Sequence, residues 1–233
     1  MKDKFETTFR TFVSDFGGNF IPEDMTKRAD FHFSADNVIA ELKTLEEDAR
    51  QEHGRRVQAL YEDWARKRLV PFFYGTRQIE LPKLPPSCQR DWLNVLLPPI
   101  ENIVRDANRQ IRTTKAKLGL SACQGLLLIA NEGNLLHTTP DHYLKLVGLV
   151  ANKRTTTGDR RFPEIDGVIY FSYRVPSKNE GLPFWAPGHL NLNDNHMIDF
   201  QERLKFGWYR YLSKTLNIPV GEILVDPTSR PSV

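Results

Sequence analysis

The chain has 233 residues, 40% of them hydrophobic, 26% charged and 11% aromatic, and its 32 basic and 29 acidic side chains leave a net charge of +3. Ordinary glycine (14) and proline (15) usage excludes a disordered protein, a collagen and a disulfide mini-protein. The near balance of charge neither implies nor excludes nucleic acid, because counterion release depends on local clusters of Lys and Arg.

A chain of this length can bury roughly 70% of the surface that its unfolded form exposes, so a single domain spanning 1–233 is expected. The longest apolar stretch, Gly125–Ala130, is far too short to span a bilayer, and no membrane partner is expected. The segment Met1-Lys2-Asp3-Lys4-Phe5-Glu6 places charges where a signal peptide needs an apolar run. A soluble, cytoplasmic protein is therefore expected. The only cysteines, Cys88 and Cys123, lack CxxC spacing, which suits a reducing compartment and argues against a thiolate zinc site.

In chain order, Lys4–Phe16 carries Phe5, Phe9, Phe12, Val13 and Phe16, the spacing of a helix with one apolar stripe, and Gly17-Gly18 ends it. Lys27–Ser34 alternates, with Phe31 and Phe33 on one side and Asp30, His32 and Ser34 on the other, and reads as a strand. Ala35-Asp36-Asn37 reads as a turn, and Val38–Leu45 as a second strand. A long polar helix follows from about Leu45 to Leu69 and stops at Pro71. Residues 81–99 hold five prolines and read as a connector; Pro98-Pro99 then opens a helix from Ile100 to about Lys117. The stretch 46–118 is read as a helical insertion or an enlarged core helix.

Gln124–Asn131 is a fully apolar strand of the kind found in sheet centres. Thr139 caps a helix with Pro140 in its first turn, and Ile165–Val175 is a further buried strand. Residues 176–195 form a loop rich in Pro, Gly and Asn. The last helix, Asn195–Leu216, carries Met197, Phe200, Leu204, Trp208 and Tyr211, and 226–233 is a loose tail. A further strand is expected near Asn19–Met25 or Phe72–Leu81. Helices alternating with apolar strands point to an α/β sheet covered on both faces.

The informative residues lie on the two early strands. Period two puts Glu41 and Lys43 on one face, and hairpin pairing brings Asp30 within side-chain reach of both. Two carboxylates held together repel unless a cation sits between them, and a hard oxygen-seeking dication, Mg2+ or Mn2+, is the natural partner. The Lys ammonium can orient a water attacking a phosphodiester or balance charge developing at phosphorus.

Asp30 followed by Glu41-Leu42-Lys43 resembles the signature of the PD-(D/E)XK nuclease superfamily, with ten residues between Asp30 and Glu41. Ala29 stands where the signature has proline. The resemblance implies a restriction-endonuclease-like mixed sheet flanked by helices, with core order helix, three strands, helix, strand. It implies Mg2+ (or Mn2+) held by Asp30 and Glu41, water assisted by Lys43, and an additional acid from the first helix, for which Glu6 is the candidate. It further implies an endonuclease acting on nucleic acid, with DNA favoured. The competing expectation is a catalytically inactive nuclease-fold module for binding or regulation. The blandest alternative is a surface hairpin whose polar face carries solvated ion pairs.

Other features are weaker. His32 can touch substrate or metal, but a strand histidine is more often a satisfied, half-buried residue. His189, Asp194, His196 and Asp199 lack metal-ligand spacing, and a helix cap at Asp194 or Asn195 explains them better. No Gly-rich phosphate loop fits. Three basic clusters, Arg66-Lys67-Arg68, Arg109/Arg112/Lys115/Lys117, and Lys153-Arg154 with Arg160-Arg161, either line a backbone-binding groove or form solvated faces.

Overall fold

Residues 2–22, 27–72, 75, 80–137, 139–172 and 184–217 are described by a computed structural model of the chain. Helix α1 (Lys2–Asp15) turns Phe5, Phe9 and Phe12 inward, and none of the three is more than 5% exposed. Gly17 follows it with φ 94°, a conformation glycine adopts without steric cost.

Six strands follow one another across a single sheet: β1 (Asn19–Phe20), β2 (Phe31–Phe33), β3 (Val38–Leu45), β4 (Gln124–Asn131), β5 (Gly167–Ser172) and β6 (Phe184–His189). β1, β2 and β3 form an antiparallel meander. β4 runs parallel to β3, β5 parallel to β4, and β6 returns antiparallel along β5. Between β2 and β3 a 3-10 turn (Ser34–Asp36) ends at Asn37, whose φ of 54° is one that Asn tolerates better than most residues.

Period two sorts the strand side chains onto two faces. Phe31, Phe33, Val38, Ala40, Leu126, Leu128 and Phe171 meet α1 and Phe200, Leu204 and Trp208 of α5 (Asn195–Leu216). Ile39, Leu127, Ile129, Val168 and Tyr170 meet α3 (Pro86–Leu118) and α4 (Pro140–Ala151). The protein is thus an α/β structure with a mixed sheet flanked by helices. A smaller cluster of Trp64, Val70 and Cys88 joins α2 (Arg50–Arg66) to the start of α3, where Trp64 Nε1 donates to Asp91 Oδ2 at 3.0 Å.

Several elements differ from the sequence reading. The connector expected at 81–99 is helical from Pro86 onward, because α3 runs 33 residues straight through Pro98-Pro99. Two prolines forgo two backbone hydrogen bonds, but both are exposed, while Leu96 and Ile100 of the same helix are buried. Packing of that face outweighs the lost bonds. Of the stretch 46–118, the part from Ile100 onward covers the sheet itself through Ile100, Val104, Ala107 and Ile111, whereas α2 packs on the outer end of α3.

A strand, β6, lies inside the segment expected to be loop. It contains Pro187 and Gly188, which hide the strand pattern but are tolerated at a sheet edge. The strand expected over Lys27–Ser34 is regular only at Phe31–Phe33. Thr139 occupies the cap position of α4, but its side chain makes no capping bond. The tail 226–233 and most of the alternative strand region Phe72–Leu81 lie outside the described residues. Among the described residues no helix is long and apolar enough to cross a membrane.

Candidate active site

The β2–β3 hairpin and α3 build one cluster. Ala29 N donates to Thr114 Oγ1 of α3 at 2.8 Å, which fixes the approach to β2. Phe31 pairs with Ala40, so Asp30 stands across from Glu41. Asp30 Oδ2 accepts the Leu42 backbone N–H at 2.8 Å, which locks its carboxylate over β3. Glu41 is 1% exposed, and its Oε1 lies 2.6 Å from Lys43 Nζ. The Lys43 ammonium also donates to Gln110 Oε1 at 2.7 Å, and Gln110 Nε2 donates to the Arg28 carbonyl at 3.0 Å. Asp30, Glu41 and Lys43 are therefore brought together, with Gln110 closing the cluster from α3.

Burial pushes the Glu41 carboxyl up to about 8, and the neighbouring Asp30 charge adds to the shift. Lys43 pulls the other way without overcoming it. Glu41 therefore holds its proton to higher pH than an ordinary carboxyl. Asp30 is raised as well, first by burial, against the Leu42 N–H and Lys43 that favour its charged form. Glu41 Oε2 is buried and has no hydrogen-bond partner among the described residues. An orphaned carboxyl oxygen beside a second carboxylate is a costly arrangement that a dication relieves.

The donor set suits one kind of ion. Among the described residues no group of three or more His, Cys, Asp or Glu side chains is placed to hold a metal. Two carboxylates match Mg2+, which keeps several waters and is held by one or two carboxylates together with substrate phosphates. Asp30 and Glu41 are the residues that could hold such an ion.

Glu6 of α1 is near enough for its charge to raise Asp30, but its carboxylate is 39% exposed and engaged by Arg10 at 2.6 Å. It stands at the margin of the cluster. His32 faces Cys123, with Nε2 4.0 Å from Sγ, in the half-buried role expected of a strand histidine. Asp194 caps α5 by accepting the Met197 N–H at 3.1 Å. Gln110 was not singled out by sequence reasoning. It lies 67 residues from Lys43, and only the docking of α3 brings them together.

The basic clusters are largely neutralised internally. Lys153 and Arg161 both pair with Glu101, and Arg160 pairs with Asp166. Lys115 is buried against Glu164 at 2.9 Å, and Lys67 pairs with Asp63 at 2.6 Å. The loop 152–161 is thus tied to α3 instead of standing open as a phosphate-binding arm.

No protein-family model, no curated protein and no solved structure matches this chain.

Proposed function

We propose that the protein is a metal-dependent phosphodiester hydrolase of the PD-(D/E)XK kind, acting on nucleic acid, with DNA favoured. The observation that carries this reading is the buried Glu41 carboxyl, with one oxygen unpartnered, between Asp30 and Lys43. The order α1, three antiparallel strands, two helices of which α3 covers the sheet, and a parallel β4 supports a restriction-endonuclease-like core with α2 added to it.

In this reading Asp30 and Glu41 hold Mg2+ or Mn2+, which when bound supplies a Lewis acid and an activated water. The Leu42 N–H and the hairpin register orient Asp30. Lys43 keeps an ammonium at the mouth of the cluster, where it steadies the attacking water and offsets charge building on phosphate oxygens. Gln110 holds that ammonium in place from α3 and so acts as a positioning residue. Glu6 is a candidate for an outer acid at the margin.

The alternative is a nuclease-fold module that binds or regulates without cleaving. The near-complete burial of Glu41 favours it, since an acid closed off from solvent admits an ion less readily. Incubation of wild type and Lys43→Ala with plasmid and Mg2+ or Mn2+ separates the two. Cleavage by wild type that is lost in Lys43→Ala supports the hydrolase. Equal cleavage by both, or none by folded wild type on DNA and RNA, removes it. Calorimetric titration with Mn2+ should show a site in wild type that Glu41→Gln lacks.

A further inference from the structure

Leu45 is the next residue after Lys43 on the same face of β3. It forms one wall of an open cavity of about 170 Å3 bordered by α2, α3, β3 and the turn before α4. Leu96, Ile100 and Ile103 of α3 add apolar surface. Three rings also line it: His53, His137 and Tyr143. The His137 and Tyr143 rings lie 4.5 Å apart between centroids, tilted by 41°. Tyr143 is 1% exposed, and its hydroxyl has no hydrogen-bond partner among the described residues.

We propose that this cavity is a nucleobase subsite, receiving a base of the same nucleic-acid strand whose phosphate lies at Lys43. The inference rests on the phosphodiester reading and deepens it. Size is the first argument. A dry apolar cavity of about 150 Å3 holds a benzene ring, so this one accepts a flat heterocycle. Position is the second. Leu45 and Lys43 are about 7 Å apart along the strand, within the reach of one nucleotide, and the cavity opens beyond the carboxyl ends of parallel β3 and β4, where open α/β sheets bind ligands.

Chemistry is the third argument. Apolar walls and rings suit the faces of a base, and its edge needs neutral donors and acceptors. Burial lowers His53 and His137, the latter to about 4 with the neighbouring His53 and His142 adding to the shift, so both imidazoles are neutral at pH 7. Each then offers one donor and one acceptor. Glu52 and Arg56 at the rim pair with each other at 2.8 Å and leave no net charge to select an ion.

The test titrates the full chain with each of the four deoxynucleosides, in EDTA, by calorimetry. Saturable binding of at least one is expected. His53→Leu, which removes a lining donor and acceptor, should weaken it tenfold or more, and Val95→Trp, which fills the cavity, should abolish it. Circular dichroism confirms that each variant is folded. No binding at millimolar nucleoside, or equal affinity in both cavity variants, overturns the inference. Plasmid cleavage without nucleoside binding removes the subsite alone; binding without cleavage keeps the subsite and removes the hydrolase.

Discussion

Replacing Glu41 with Gln keeps the shape of the side chain and removes its titration. In wild type the folded carboxyl holds its proton up to about 8, against an ordinary value of 4.5. The unfolded chain therefore loses that proton first, and stability falls as pH rises through the window between those values. It is fully present below the lower value and levels off above the upper one. One proton corresponds to about 1.4 kcal/mol per pH unit, so the whole window amounts to about 5 kcal/mol. His137 and His53 titrate low in the fold and make their own contribution below the ordinary histidine value of 6.5. Both histidines titrate alike in Glu41→Gln, so the difference between the two proteins from pH 6.5 to 8.5 isolates a loss of about 2 kcal/mol, or roughly 4 to 8 °C in Tm for a domain of this size. Urea unfolding in EDTA at three pH values in that range should show wild type losing this stability and Glu41→Gln losing little. Mg2+ should flatten the wild-type slope by displacing the proton. Parallel pH profiles for the two proteins would refute a protonated, buried Glu41 and with it the electrostatic basis of the site.

Gln110→Ala should release Lys43, lowering kcat about tenfold or more with little change in KM, while Gln110→Glu should partly restore it by pairing with the ammonium; steady-state cleavage kinetics check both. Gly125→Ala should destabilise by several kcal/mol, since a Cβ there lies 1.8 Å from the Glu164 carbonyl oxygen, and the urea midpoint reads the loss directly. Trp208→Ala should cost about 3 to 5 kcal/mol, because Trp208 is fully buried among Phe9, Phe12 and Trp185, and thermal melting should show a fall in Tm of roughly 6 to 20 °C. Pro99→Ala should raise the urea midpoint by restoring a backbone donor to the exposed side of α3.

Local periodicity carried much of the architecture. Phe5, Phe9 and Phe12 predict α1, the alternation over Val38–Leu45 predicts β3, the apolar run from Gly125 predicts β4, and the stripe from Met197 to Trp208 predicts α5. Each pattern is written within one element, so it needs no knowledge of the rest. The Asp30, Glu41 and Lys43 cluster was legible for the same reason: a short hairpin makes neighbours of residues a few positions apart.

Three decisions belonged to the tertiary structure. Pro98-Pro99 reads as a break, but burial of Leu96 and Ile100 against the sheet carries the helix through it. Pro187 and Gly188 read as loop, but the open edge of β5 accepts them as a strand. The burial of Glu41, which raises its proton affinity, and the contact of Gln110 with Lys43 both come from α3 lying across the hairpin. Sequence spacing specifies which side chains share a face, whereas solvent exclusion and contacts between distant segments arise only when separate elements pack.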